Sequence, residues 1–248
     1  MQTIDKAAQI LRAFTPEHPE WGVRELALHV SLTRSSTHQY LQSLGANGFL
    51  RRSPTGRYRL SWKLLELSGL LHRSLGWLPP ARQELARLAD QTRSLAFLCV
   101  LELSGGNPVE GRVVCIDRSL GVPEADSQLV QTDVYLPPNA TAAGKVLFAH
   151  ANLKLLNFTP FTPGTITTQD EWDTELERVR QEGYAHAVEE WVPGQCALAA
   201  PLFFQGELVA AIGLQWPLDR YERERERLRQ QLLQLTERLA RLHRTMLR

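Results

Sequence analysis

Residues 23–60 set two short helical stretches on either side of a three-residue turn and follow them with a basic strand–turn–strand run, an order few small folds accommodate. The segment VRELALHV places Val23, Leu26, Ala27 and Val30 at i, i+3, i+4 and i+7, which predicts a short helix with one apolar stripe. SLT follows as the turn. Thr33 then fits the N-cap of a second helix, RSSTHQYLQSLGANG, with Thr37, Leu41 and Leu44 facing inward and Gly48 placed to stop it. Upstream, TIDKAAQILRAF spaces Ile4, Ala7, Leu11 and Phe14 as one more helix face. Downstream, FLRRSPTGRYRL predicts two strands around Ser53-Pro54-Thr55-Gly56, with Arg51, Arg52, Arg57 and Arg59 on or beside the hairpin.

The outer face of the second helix carries hydrogen-bonding side chains: Ser35, Gln39, Gln42 and Ser43 lie opposite the inward stripe, with Arg34, Ser36 and His38 near the N-terminal end. Helix, turn, helix and basic hairpin together predict a winged helix-turn-helix, whose second helix lies in the major groove of DNA. Arginine forks onto guanine, glutamine onto adenine, and serine reaches base edges or phosphates. The candidate contacts are Arg24, Arg34, Ser35, Ser36, His38 and Gln39, with Arg57 and Arg59 on the backbone. Taken singly, each residue would serve equally well on a solvated surface. Charge adds to the pattern, since residues 1–73 hold ten Lys/Arg against five Asp/Glu, a net +5 within a chain whose total is only +1. Such a local excess suits counterion release from phosphates.

At 248 residues, 43% hydrophobic and 22% charged, the chain has the length of two ordinary domains and is neither disordered nor collagenous. No run approaches the ~20 apolar residues of a membrane span. The start MQTIDKAAQ lacks the apolar core of a secretory signal, so a cytoplasmic protein without a membrane partner is expected. Cys99, Cys115 and Cys196 are odd in number and show no C-x-x-C spacing, which reads as buried free thiols rather than disulfides or a zinc knuckle. Motifs for a nucleophile elbow, a zincin, a dinucleotide fold or a P-loop are missing, and neither an enzyme nor a cofactor is expected. A metal or redox sensor built from His186, Cys99, Cys115 and Cys196 is the alternative, and a small-molecule enzyme using His186 with Glu189 or Glu190 a weaker one.

The C-terminal half reads as strands interleaved with helices, without the regular repeat of a parallel barrel. SLAFLCVLEL and RVVCID flank the turn-former cluster SGGNP, QLVQTDVYL is a further strand, and CALAAPLFF joins ELVAAIGLQW through Gln205-Gly206-Glu207. Thr168 and Glu171 form a capping box for the helix DEWDTELERVRQE, which ends at Gly183. SWKLLELSGLLHRSL, from an N-cap at Ser61, predicts a linker helix whose leucines suit burial between subunits or domains, or a continuation of the DNA-domain core. The last helix, Asp219 to about Leu247, carries the stripe Leu228, Leu232, Leu235, Leu239, Leu242 and Met246, suited to packing on its own sheet. In LPPNATAAGKVLFAH a helix opens near Asn139 to Thr141, and the amides of Thr141, Ala142 and Ala143 either receive a carboxylate or begin an ordinary capped helix.

TIDKAAQIL, the block RELALHVSLTRSSTHQYLQSLGANGFLRRSPTGRYRLSWKLLELSG, and then NATAAGKVLFAH, FTPGTIT, ELERVRQEGYA and PGQCALAAP are each similar to a block of the IclR family of bacterial transcription regulators, in the family order. The resemblance implies an α+β chain: a winged helix-turn-helix DNA-binding domain over 1–61, a linker helix over 62–75, and a GAF-like α/β effector-binding domain over 76–248. It implies a homodimer or a dimer of dimers on a roughly palindromic double-stranded operator, controlled by a small-molecule effector of which an organic acid is one class. Its pocket carries over to Leu136, Thr141, Ala142 and Ala143, and to Ala187, Ala197, Gly213 and Gln215. At these last four the family often has an acidic residue, a cysteine and, in members that bind small keto acids, two serines. Histidine, common before the turn, is Asn139 here. Cys196 is displaced by one and, facing the other side of a strand, should not replace the side chain lost at Ala197. These departures imply a ligand less polar or larger than a two- or three-carbon keto acid, or a pocket that has lost its ligand. Glu189, Glu190 and Trp191 stand nearby, Trp191 reading as a packing residue.

Overall fold

A computed structural model describes residues 2–103, 111–121, 135–151 and 153–246, and divides the chain into two compact units, residues 1–76 and 77–248. The expected turn SGGNP and all but the end of QLVQTDVYL lie outside the described residues, as do the side chains of Leu242 and Met246.

In the first unit, α1 (Gln2–Arg12), α2 (Val23–His29) and α3 (Arg34–Ala46) precede the hairpin of β2 (Leu50–Arg52) and β3 (Tyr58–Leu60). The core holds Ile10, Leu26, Val30, Leu41 and Leu50, closed by Trp21 and Tyr58; the buried face of α1 is set by Ile10 and continues through Ala13 and Phe14, whereas Ile4 of the expected stripe is exposed. Thr33 caps α3 by accepting from the Ser36 amide at 3.1 Å, and Gly48 turns the chain out at φ +79°, a left-handed conformation that costs glycine little. Thr37 and Leu41 are fully buried, which leaves the polar side of α3 outward. A third strand, β1 (Glu20–Trp21), was not expected: it pairs antiparallel with β3 and gives the sheet order β1-β3-β2.

The helix α4 (Lys63–Ser74) has Trp62, not Ser61, at its N-cap, and the Ser61 amide instead extends the hairpin by bonding the Phe49 carbonyl at 2.9 Å. None of its residues is buried, and Leu65, Leu67, Leu70 and Leu71 are all exposed, so it does not continue the core of the first unit.

Among its described residues the second unit is a six-stranded antiparallel sheet with two α-helices on each face. Its strands are β4 (Leu95–Leu103), β5 (Gly111–Leu120), β6 (Tyr135–Leu136), β7 (Ala185–Val188), β8 (Gln195–Phe204) and β9 (Glu207–Pro217), in the order β6-β5-β4-β9-β8-β7. Alternation assigns Phe97, Cys99, Ala199 and Ala211 to one face, under α6 (Ala142–Ala151) and α7 (Gln169–Glu182). The opposite parity, Leu198, Ile212, Leu214 and Trp216, is equally buried on the side where α8 (Tyr221–Met246) lies with α5 (Leu78–Thr92). Leu228, Leu232 and Leu235 of α8 are fully buried, as the stripe required. Helix α5 and strand β7 were not expected from the sequence.

Candidate functional site

Two regions hold the residues singled out above, one in each unit. On α3, Arg34, Ser35, Gln39, Gln42 and Ser43 are exposed, whereas Ser36 and His38 are partly covered. Ser36 is also engaged locally, its Oγ accepting from Thr33 Oγ1 at 2.9 Å. Arg24 is exposed on α2.

The hairpin arginines divide into two kinds. Arg57 Nη2 lies 2.6 Å from Glu25 Oε2 and 3.3 Å from the Glu20 carbonyl, and Arg59 Nε lies 2.8 Å from Glu20 Oε2. These ion pairs tie β3 to β1 and to the start of α2. The Arg57 guanidinium, with the Gly22 amide, holds the Glu25 carboxyl below the ordinary range. Arg57 and Arg59 thus share their charge with carboxylates of their own unit, a role that the sequence, in which they lie about 35 residues from Glu20 and Glu25, does not announce. Arg51 and Arg52 instead lie over aromatic rings, Trp62 and Tyr58, at 5.5 and 5.1 Å.

In the second unit a cavity enclosing about 800 Å³ of space, its open mouth included, lies between the sheet and the start of α6. Leu136, Thr141, Ala142, Ala143, Ala187, Ala197 and Gln215 line it, so the structure brings together seven of the eight positions carried over by resemblance. Gly213 is the eighth and is not in the wall. It pairs with Phe97 across the sheet, and a Cβ there would overlap the Phe97 ring and the Leu198 carbonyl. The ring therefore takes the place that a serine would use. Cys196 also borders the cavity, but it pairs with Trp216 on the side of α8, while Ala197 pairs with Gln215 and Ala187 of the wall, so the Cys196 thiol does not replace the side chain missing at Ala197. The loop 189–194 adds Trp191, which lines the cavity rather than serving the core alone.

The start of α6 is held open by its neighbours. Pro138–Ala140 form one turn of 3-10 helix, pinned by Asn139 Nδ2, which donates to the carbonyls of Thr159 at 3.0 Å and Ile166 at 2.8 Å. Gly144 has no Cβ where the turn passes, since one would overlap Pro138. Thr141 Oγ1 takes the Gly144 amide at 3.2 Å, and the amides of Ala142 and Ala143 meet no acceptor among the described residues. Free amides at the positive end of a helix dipole suit an anion. Arg118, on β5, adds a cation to the same wall.

A buried charge cluster that the sequence does not reveal stands behind this wall. Lys145 is 2% exposed, and its three ammonium protons have three acceptors: Glu190 Oε1 at 2.7 Å, the His186 carbonyl at 2.8 Å and Glu175 Oε1 at 3.2 Å. Arg178 also pairs with Glu175, at 2.8 Å, and with Glu182. Burial pushes the Glu175 carboxyl up, but Arg178 and Lys145 outweigh it and hold it below its ordinary value. At Glu190 burial prevails over Lys145 and the carboxyl titrates higher than usual. His186 is pushed down by burial and by the two cations. Its carbonyl, not its ring, holds Lys145. No group of three metal-ligating side chains occurs among the described residues. No helix among them is long and apolar enough to cross a membrane.

Comparisons with known proteins agree across both units. The family model described as IclR helix-turn-helix domain matches residues 3–54, and the one described as bacterial transcriptional regulator IclR C-terminal matches residues 80–241. The HTH-type transcriptional regulator XynR of Escherichia coli is 30% identical over 86% of this chain and 85% of its own length. The glycerol operon regulatory protein of Streptomyces griseus is 28% identical over 89% and 86%. Among solved structures, the Thermotoga maritima IclR superposes with a TM-score of 0.72 at 25% identity, covering 97% of this chain and 98% of that one. An IclR homologue from Microbacterium hydrocarbonoxydans, solved with 4-hydroxybenzoate, shares the fold at a TM-score of 0.77 and 23% identity, over 95% and 98%.

Proposed function

The chain belongs to the IclR family, DNA-binding transcription regulators with an effector-binding C-terminal domain, and from that premise we propose how this member reads DNA and what it senses. As a homodimer or dimer of dimers it binds a roughly palindromic operator, one α3 per half-site. Arg34, Ser35 and Gln39 reach base edges, Ser36 and His38 the adjoining phosphates, and Arg24 the backbone at the start of α2. Arg57 and Arg59 fix the wing and turn their remaining donors to phosphate, and Arg51 and Arg52 supply its unshared charge.

The effector is an organic acid. The observation that supports this is the meeting of two anion-seeking features in one wall, the amides of Ala142 and Ala143 and the side chain of Arg118. Leu136, Thr141, Ala187, Ala197 and Gln215 complete the pocket, and Gly213 contributes only through Phe97. Bound acid shifts the balance between DNA-binding and non-binding arrangements, by no more than its difference in affinity for the two. The protein acts in the cytoplasm, without catalytic activity.

Incubating the full chain with sheared genomic DNA from its source organism and sequencing what is retained tests the reading. A shared two-fold-symmetric motif is expected. Retention without any motif, with and without added organic acids, overturns it.

A further inference from the structure

Two polar atoms in the cavity wall are buried without a protein hydrogen-bond partner: Glu190 Oε2 and Gln195 Oε1. Both are acceptors, and both belong to the segment that follows β7. Glu190 is 9% exposed, and its other oxygen is taken by Lys145 at 2.7 Å, so the carboxylate has no freedom to turn Oε2 elsewhere. The backbone around it is fixed as well. Thr165 Oγ1 donates to the Glu190 carbonyl at 2.5 Å, and Glu189 Oε1 takes the Gly194 amide at 2.7 Å. Buried acceptors without protein partners are expensive, and in a cavity wall they mark where a ligand can bring donors.

Lys145 pairs with both Glu190 and Glu175, and Arg178 is shared between Glu175 and Glu182, so Glu190 already has a cation against its carboxylate before any ligand arrives. Oε2 therefore lacks a hydrogen bond rather than a counter-charge, and an ammonium placed beside it would also face Lys145. A neutral hydroxyl meets the need without that repulsion. We propose that the ligand is a hydroxylated carboxylic acid whose carboxylate faces the start of α6 and Arg118, and whose hydroxyls donate to Glu190 Oε2 and Gln195 Oε1. This rests on the acid-binding reading above and adds the specificity residues to it. It also revises the expectation of a less polar ligand: the polarity lost at Ala187, Ala197 and Gly213 returns from the loop and from β5.

Calorimetric titration of the full chain with matched acids tests it: lactate, alanine and propionate; gluconate, norleucine and hexanoate; 4-hydroxybenzoate and benzoate. In at least one set the hydroxy acid should bind at least about tenfold tighter than its parent and, in the first two sets, than the amino acid, as a site built around a hydroxyl requires. Gln195→Met, which removes one acceptor without touching the charge cluster, should narrow that ratio by weakening the hydroxy acid more than its parent. Glu190→Gln should narrow it too, and its thermal midpoint reports whether the variant is folded. Parent acids binding as tightly as their hydroxy forms, or amino acids binding best, would overturn this proposal and leave the acid-binding reading standing. Absence of binding by every acid in the panel overturns both.

Discussion

Phe97 and Gly213 stand opposite each other on β4 and β9, and the Phe97 ring occupies the space that a Cβ on residue 213 would need. The pair exchanges a polar side chain on one strand for an aromatic wall on the next. Gly213→Ala should therefore strain the sheet even though the residue is buried and apolar. Overpacking of this kind costs about 1–3 kcal/mol, read as a drop of several degrees in thermal midpoint. Phe97→Ala should relieve part of that cost in the double variant, but not all, because the Leu198 carbonyl also crowds the position. Strict additivity of the two changes would show that the ring and the glycine are not coupled.

The pairing of Arg57 with Glu25 changes what its removal should do. An arginine whose only role is a phosphate contact takes about 0.9 from the slope of log affinity against log salt when it is lost. Arg57→Ala should weaken binding to all sequences alike, lower the stability of the N-terminal unit and change the salt slope by much less, because Glu25 already shares its charge. Gln39→Ala, on the exposed face of α3, should alter sequence preference instead. A full loss of slope with unchanged stability would mean that Arg57 meets phosphate directly.

Local signals carried most of the fold. Periodicity and caps placed α2, α3 and α7, because Thr33 and Thr168 do by side-chain hydrogen bond what a cap at that spacing must do. Elements without a local signal escaped: β1 is two residues, β7 is only Ala185–Val188, and α5 opens on Pro79-Pro80 with no side-chain cap to announce it. The site divides in the same way. The start of α6 is one continuous stretch and could be read. Lys145 and Glu190 are 45 residues apart, and the pair exists only because β7 and its loop return beside α6. Gly144-Lys145 could be excluded as a phosphate loop from sequence, but what the lysine does there could not be seen.

Cavity thiols offer a check on electrostatics. Cys115 packs on the α6 side with Phe97 and Cys99, whereas Cys196 pairs with Trp216 on the side of α8, so access and thiolate fraction both favour Cys115. Burial, aided by Glu189, pushes Cys196 up to about 11. Cys115 is lowered by a hydrogen bond from Cys99, its cross-strand neighbour, which is itself pushed up by complete burial. Brief iodoacetamide treatment at mildly alkaline pH should therefore label Cys115 first, and a saturating ligand should slow it. Mass spectrometry finding Cys196 modified at the same rate or faster would contradict this order.

Acid should act on the start of α8 only after Glu190, the raised carboxyl of the cavity wall, has taken its proton. Arg220 bonds the Thr92 and Arg93 carbonyls at 3.0 and 2.9 Å and pairs with Glu224 at 2.7 Å, tying the end of α5 to the first turn of α8. Those bonds, with a second arginine at 227, hold the Glu224 carboxyl at about 2 instead of 4.5. A carboxyl lowered on folding contributes stability that is complete above its unfolded value and is lost as the pH falls towards its folded one. The loss should run from about pH 4.5 down to about 2. Both partners are partly solvated, so the effect is modest and weakens in salt. Glu224→Gln should lower the thermal midpoint at pH 7 and flatten its fall across that window, while leaving the midpoint near pH 2 almost unchanged. An equal difference between variant and parent at pH 7 and pH 2 would mean that the glutamate acts by packing and not by charge.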